Sequence, residues 1–125
     1  MSARALAGVP QRLWERAAAA RHRLLMLDYD GTLAPFRIDR DQAHPLPAAL
    51  AALEAIAAVP GGTQLAIVSG RPVRALEQLL GPLRATLVGE HGWEMRVPGE
   101  ERVEQPLPSG AGETLGRAAR AADEL

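Results

Sequence analysis

The sequence has 125 residues and a formal net charge of −1, with 47% hydrophobic and 23% charged residues. This length suits one domain of ordinary size, and the charge balance gives no general attraction to nucleic acid or to an anionic membrane. The chain has no Cys, which excludes a disulfide framework and thiolate chemistry, and all 14 basic residues are Arg. Met1 to Arg23 carries scattered Arg and no apolar segment, so we expect no secretory leader and a cytoplasmic location.

The hydrophobic pattern predicts alternating helices and strands up to residue 88. Three prolines between residues 31 and 47 favour a loop there, and Ser69 or Gly70 is expected near the cap of the helix that follows them. This order predicts an α/β fold, a Rossmann-like parallel sheet with flanking helices. The predicted elements are a helix over 11–20, a strand over 23–27, a helix over 47–59, a strand over 64–68, a helix ending at Leu80 and a strand over 85–88.

The pattern changes after residue 92. Two short segments, 93–97 and 101–104, flank Pro98-Gly99-Glu100 and predict a hairpin with a tight turn. A linker over 106–112 follows, and a helix is predicted from Glu113 onward. This part of the chain therefore differs from the repeated strand–helix order that precedes it.

Two carboxylates follow the first predicted strand, in Asp28-Tyr29-Asp30-Gly31-Thr32. Hydrolysis of a phosphate monoester is very slow without a catalyst, and one solution proceeds through an aspartyl phosphate. That route needs one ionised carboxylate aimed at phosphorus and a second that exchanges a proton with the leaving oxygen and with water. It also needs a divalent cation between the anions, and Mg²⁺ suits oxygen ligands and a phosphate.

Two other interpretations of this segment are open on residue pattern alone. Asp and Gly are common in ordinary turns. A calcium loop also uses alternating acidic residues, but position five from Asp28 is Thr32 and position twelve is Asp39 rather than Glu. The apolar strand before Asp28 also disfavours a helix–loop–helix calcium site.

Three strings of the sequence together resemble the trehalose-6-phosphate phosphatase branch of the haloacid dehalogenase (HAD) superfamily. They are Leu27 to Pro35, Ile67-Val68-Ser69-Gly70-Arg71 and Gly89 to Arg96, in the order and at separations that suit the family. The resemblance implies an incomplete HAD-like core over residues 1–92 and the start of an α+β cap over 93–125. It further implies Mg²⁺ as cofactor and a small-molecule sugar phosphate as partner, with no nucleic acid and no membrane.

The resemblance also implies roles for single residues. Asp28 would be the nucleophile and a metal ligand, and Asp30 the general acid/base with its backbone carbonyl on the metal. The remaining implied residues bind phosphate or substrate: Gly31, Thr32, Ser69, Gly70, Arg71, Glu90, His91 and Gly92.

Two further motifs of the family have no counterpart here, namely a Lys or Arg that neutralises the phosphate and an acidic cluster that completes the metal site. The protein ligands of Mg²⁺ are therefore too few for a firm site. We expect a truncated sequence, with the missing C-terminal half as a candidate partner. The alternatives are a phosphatase for sucrose phosphate or for glucosyl- or mannosyl-phosphoglycerate, and a non-catalytic phosphate-binding remnant.

Overall fold

The structure is a computed structural model, and it describes residues 8–124. The first seven residues of the predicted core and the last residue of the predicted cap, Leu125, lie outside this part of the chain. Its helices and strands are α1 (Gln11–Ala19), β1 (Leu24–Asp28), α2 (Pro47–Ala57), β2 (Gln64–Val68), α3 (Val73–Leu80), β3 (Thr86–Gly89), β4 (Glu94–Arg96), β5 (Val103–Glu104) and α4 (Ala111–Asp123). Each predicted element is present within two or three residues of its expected bounds.

The five strands form one sheet in the order β1-β2-β3-β4-β5. β1, β2 and β3 are parallel, with Asp28 opposite Val68 and Val68 opposite Val88. The predicted parallel α/β sheet is thus confirmed for these strands. β4 runs antiparallel to β3, and β5 antiparallel to β4, so the predicted hairpin is also confirmed. Because the hairpin continues the sheet, the division at residue 92 stays a prediction.

One face of the sheet carries the hydrophobic core. Strand side chains alternate between the two faces, and the alternate positions Leu65, Ile67 and Leu87 are buried against the helices α2 and α3. The helices contribute apolar side chains at helical spacing, including Leu53 of α2 and Leu76 of α3. This packing fixes the carboxyl ends of β1, β2 and β3 side by side.

The start of α3 differs from the prediction. Neither Ser69 nor Gly70 caps this helix, because its N-cap residue is Pro72. The first helical N–H, that of Val73, donates instead to the Glu94 carboxylate of β4 over 2.8 Å. The sequence suggested a local cap, whereas the cap comes from a distant strand, and a carboxylate is favourable at a helix N-terminus.

The second face of the sheet is largely open in residues 8–124. Leu24 and Met26 of the end strand β1 are 57% and 59% exposed, and Met95 and Val103 of the hairpin are also exposed. Exposed apolar side chains next to a sheet edge are sites of association. No helix within this part of the chain is long and apolar enough to cross a membrane.

We therefore predict that Met26→Lys reduces self-association of the 125-residue chain. A charge on the end strand of the open face disfavours burial of that face against another chain. Sedimentation velocity at rising protein concentration measures the effect. Leu115→Lys on α4 is the control, because Leu115 is also 59% exposed but lies away from the sheet. Equal association of both variants and the parent chain would contradict the prediction.

Candidate active site

Asp28 lies at the carboxyl end of β1, where its carboxylate is open to solvent. The Thr32 hydroxyl donates to Asp28 Oδ2 over 3.2 Å. The backbone between them turns sharply: Gly31 has a φ of +80°, and its N–H donates to the Ala34 carbonyl over 2.8 Å. A glycine adopts this conformation without strain, so the first acid and the hydroxyl lie on one side of a tight turn.

Asp30 forms a two-pronged ion pair with Arg71 of the loop between β2 and α3. Arg71 Nη2 donates to Asp30 Oδ1 over 2.7 Å, and Arg71 Nε donates to Oδ2 over 2.8 Å. Arg71 is only 2% exposed, and its Cζ lies 5.4 Å from the centre of the Tyr29 ring. Such a fork fixes the plane of the carboxylate as well as its position.

The pair also fixes the charge state of its members. The hydrogen bond from Arg71 lowers the pKa of Asp30, against the opposing effect of burial, and the charges of Arg71 and Arg40 act in the same direction as the bond. The same hydrogen bond raises the pKa of Arg71. Burial raises the pKa of the Tyr29 hydroxyl, which donates to the Ala43 carbonyl over 2.6 Å. Asp30 is therefore held as a carboxylate in this arrangement.

The second and third strings of the family resemblance are joined by hydrogen bonds between their backbones. The Glu90 N–H donates to the Arg71 carbonyl over 2.9 Å, and the His91 N–H donates to the Ser69 carbonyl over 3.2 Å. The His91 imidazole lies so close to Gly70 that a Cβ there would be 2.6 Å from its Cε1 atom. Glu90 and His91 have φ values of +50° and +56°, a conformation that is uncommon outside glycine. The contacts with the second motif hold this strained turn in place.

The structure thus brings the three predicted strings together at the carboxyl ends of the parallel strands β1, β2 and β3. Six of the predicted residues are linked by direct contacts: Asp30, Ser69, Gly70, Arg71, Glu90 and His91. Asp28, Gly31 and Thr32 form the adjoining turn, and Gly92 follows His91 with a φ of +97°. The Arg71 guanidinium is engaged by Asp30 rather than turned to solvent. The assignment of these residues to phosphate or substrate stays a prediction.

Sequence reasoning missed Glu94. Its carboxylate is buried, accepts from Val73 N–H and forms an ion pair with Arg102. The sequence signal that could have identified Glu94 is an acidic residue at a core-facing position of a strand, because a buried carboxylate needs partners. Glu94 holds the hairpin against the start of α3, next to the loop that carries Arg71.

The oxygen ligands at the carboxyl ends of the strands are of the type that Mg²⁺ binds. The Asp28 carboxylate is accessible, whereas the Asp30 carboxylate is engaged by Arg71 and leaves only the Asp30 backbone carbonyl for a metal. Mg²⁺ is often bound by one or two carboxylates together with phosphate oxygens and water. Within residues 8–124, no group of three or more His, Cys, Asp or Glu residues could hold a metal ion by itself.

A cavity of about 810 Å³ lies at the opposite end of the parallel strands from Asp28. It is lined by residues at the amino ends of the strands, including Arg23, Gln64 and Thr86. In parallel sheets, ligands bind beyond the carboxyl ends of the strands. The candidate site is therefore the open edge at Asp28 and not this cavity.

Gly89 provides a test of how the loops are joined. A Cβ at Gly89 would lie 2.6 Å from the Arg71 carbonyl oxygen and 2.7 Å from the Val73 nitrogen, both backbone atoms. We predict that Gly89→Ala lowers the free energy of unfolding by about 2 kcal/mol or more, because the backbone has to move. Gly112→Ala is the control, since α4 leaves its Cβ in open space, and it should stabilise by about 0.5–1 kcal/mol. Urea denaturation measures both, and equal effects would contradict the prediction.

The Asp30–Arg71 pair predicts a stability that depends on pH. Arg71→Met should cost about 2 kcal/mol at pH 7, less than a fully buried pair because the Asp30 side chain is 29% exposed. The folded chain lowers the pKa of Asp30, so the stabilisation is complete above the unfolded pKa of about 3.9 and is lost as pH falls through the folded pKa. Denaturation curves from pH 7 down to about 3 measure the difference between parent and variant.

The control for this experiment is Arg117→Met, which removes an exposed guanidinium from α4. It should change the unfolding free energy by less than about 0.5 kcal/mol at every pH. An Arg71→Met chain as stable as the parent at pH 7 would contradict the role of the pair. So would a difference that grows as the solution becomes more acidic.

Comparisons with known proteins agree with this geometry. The family model described as trehalose-phosphatase matches residues 26–122. The fold prediction is confirmed, since solved phosphatases of the HAD superfamily share this α/β arrangement.

Individual relatives have the same family assignment. A bifunctional trehalose-6-phosphate synthase/phosphatase of Thermoproteus tenax is 44% identical over 84 residues, which cover 67% of this chain and 11% of that protein. A trehalose-phosphate phosphatase of Mycolicibacterium paratuberculosis is 34% identical over 108 residues, which cover 86% of this chain and 27% of the relative. A trehalose-6-phosphate phosphatase structure from Aspergillus fumigatus has a TM-score of 0.72 and 31% identity, over 85% of this chain and 40% of that one.

The chain therefore spans less than half the length of each of these relatives. The matched segment contains all three motifs, from the end of β1 through β4, and their geometry is the arrangement described above. On this sequence match and this structural likeness, the chain belongs to the trehalose-phosphatase family.

Proposed function

We propose that this chain supplies the nucleophile half of an Mg²⁺-dependent phosphatase that hydrolyses trehalose 6-phosphate to trehalose and phosphate. The observation that carries the proposal is the joining of the three motifs at the carboxyl edge of β1, β2 and β3. An accessible carboxylate, a second carboxylate fixed by an arginine and a nearby hydroxyl are the groups that phosphoryl transfer through an aspartyl phosphate requires. The activities for which the relatives are named support the choice of substrate.

In the first step, a carboxylate oxygen of Asp28 attacks phosphorus and the bond from phosphorus to the sugar oxygen breaks. The sugar oxygen takes the electron pair and needs a proton. Asp30 would donate it from a protonated form that requires the Arg71 fork to open, since the fork favours the carboxylate. The hydroxyl groups of Thr32 and Ser69 would hold the phosphate oxygens. The product of this step is an aspartyl phosphate on Asp28 and a free sugar.

In the second step, water attacks the phosphorus of the aspartyl phosphate and restores the Asp28 carboxylate. The ionised form of Asp30 accepts a proton from that water, which returns Asp30 to the form that the first step uses. The fork from Arg71 orients the ionised carboxylate that this second step uses. We therefore propose that Arg71 acts mainly on Asp30, while Glu90, His91 and Gly92 lie beside the sugar.

Mg²⁺ would be held by the Asp28 carboxylate and the Asp30 backbone carbonyl, and it would offset the repulsion between a phosphate dianion and a carboxylate. The remaining ligands would come from phosphate oxygens, water or another segment. The open face at Leu24 and Met26 supports a requirement for such a segment, because it leaves apolar surface beside the end strand. We propose that residues 1–92 form part of the catalytic core and 93–125 the start of a cap.

A second candidate is a phosphate-binding module without turnover. Two observations favour it: the sequence has no Lys, and residues 8–124 hold no acidic cluster that could complete a metal site. Calorimetric titration of the 125-residue chain with Mg²⁺ and phosphate, beside a phosphate-release assay, separates the two candidates. Binding without turnover supports the module, and turnover at the rate of the relatives eliminates it.

The catalytic proposal predicts that Asp28→Asn lowers phosphate release by about 10³-fold or more, because an amide is not a nucleophile towards phosphorus. The assay follows release of inorganic phosphate from trehalose 6-phosphate with Mg²⁺. It uses the 125-residue chain and a chimera that continues it with the C-terminal part of the Mycolicibacterium relative. Asp123→Asn in α4 is the control and should leave the rate unchanged. A normal rate for Asp28→Asn in the active protein would show that the mechanism is wrong.

A further inference from the structure

Phe36 is the single Phe of the chain, and it is 79% exposed. Its ring lies against the turn that follows Asp28: a Cβ at Gly31 would be 2.6 Å from both Cε2 and Cζ of Phe36. Because Gly31 carries no side chain, the tip of the ring contacts the turn backbone directly. The rest of the ring extends into solvent at the rim of the candidate site.

The segment that carries Phe36 is fixed to the core at both ends. The Gly31 N–H donates to the Ala34 carbonyl, and the Leu46 N–H donates to the Leu33 carbonyl, each over 2.8 Å. The Tyr29 hydroxyl holds the Ala43 carbonyl over 2.6 Å, and Ala34 and Ala43 are buried. The ring is therefore presented by an anchored segment and not by a free loop.

An aromatic ring on an anchored segment normally packs into the interior, where its burial is favourable. This ring instead shows a flat apolar surface beside groups that suit a phosphate. Ile38, two residues further, is also fully exposed. Arg40 follows in the same segment, which therefore carries both apolar and basic side chains.

The proposed reaction determines where a sugar would lie. The phosphorus must come within about 3–3.5 Å of the Asp28 carboxylate for in-line attack. In-line attack places the leaving sugar oxygen on the side of phosphorus opposite Asp28, so the sugar ring lies beyond that oxygen, on the solvent-open side of the site. One face of a pyranose ring presents C–H groups, and such a face packs on an aromatic ring.

We propose that Phe36 is a specificity-determining residue whose exposed ring stacks on the sugar ring of a bound sugar phosphate, while the phosphate lies at the Asp28 turn. The inference rests on the proposed phosphatase function and goes beyond it. It assigns sugar recognition to the segment that follows the first motif, in addition to the turn at Glu90-His91-Gly92. The basic side chain of Arg40 would favour the anionic end of the same ligand.

The single Phe allows a direct test by NMR. The 125-residue chain, with Asp28→Asn to prevent consumption of the ligand, is labelled with ¹³C in the Phe ring. It is titrated in Mg²⁺ buffer with trehalose 6-phosphate, glucose 6-phosphate and inorganic phosphate. We expect the Phe36 ring signals to shift with both sugar phosphates and not with inorganic phosphate. We also expect nuclear Overhauser contacts between the ring protons and sugar C–H protons.

Matched variants measure the contribution to affinity. Phe36→Ala should weaken binding of trehalose 6-phosphate by about fivefold or more and leave inorganic phosphate within about twofold. Phe36→Trp should restore sugar-phosphate binding, since it keeps an aromatic face. Ile38→Ala is the control, because it removes another exposed apolar side chain from the same segment and should change neither affinity.

The outcomes separate this inference from the proposed function. Binding of inorganic phosphate together with equal effects of Phe36→Ala on both ligands overturns the inference and leaves the phosphatase proposal standing. So does binding of trehalose 6-phosphate without contacts to the ring protons, or an effect of Ile38→Ala as large as that of Phe36→Ala. A chain that binds neither phosphate nor sugar phosphate overturns the inference, whereas the phosphatase proposal is decided by the phosphate-release assay of the chimera.

Discussion

The fork between Asp30 and Arg71 is the interaction on which the candidate site depends. It joins a residue after β1 to a residue after β2, and the buried guanidinium also lies over the Tyr29 ring. A bidentate pair constrains orientation as well as distance, so the Asp30 carboxylate has one geometry in the folded chain. The same pair engages the Arg71 guanidinium, which the resemblance places at the substrate.

The third motif is held by a second set of contacts that lead back to the same loop. Glu90 and His91 adopt left-handed backbone conformations, and their N–H groups donate to the carbonyls of Arg71 and Ser69. Glu94 then ties β4 to the start of α3 through Val73. Strain of this kind persists only where the surroundings fix it, and here a buried carboxylate and close glycine contacts do so. The three motifs therefore behave as one unit.

The two faces of the sheet give this unit different surroundings. The face that packs on α2 and α3 is closed and makes the carboxyl edge rigid. The other face leaves Leu24 and Met26 exposed beside the end strand, and the chain spans 27% of its mycobacterial relative and 40% of its fungal one. Asp28 follows Leu24 and Met26 on the same face of β1, and this open surface agrees with the proposal that the chain works together with a further segment.

The sequence alone determined the order of elements, the hairpin, the family and the three motifs. These follow from local signals: apolar runs that end at Asp28 and Ser69, prolines and glycines at the turns, and fixed spacings. Only the tertiary structure decided how the motifs meet. Arg71 pairs with Asp30, and Glu94 caps α3; both contacts join residues that are far apart in sequence. The contact of Phe36 with Gly31 depends on the turn between them. The hydrophobic periodicity does not specify such pairings, because each side chain would fit the same local pattern with a different partner.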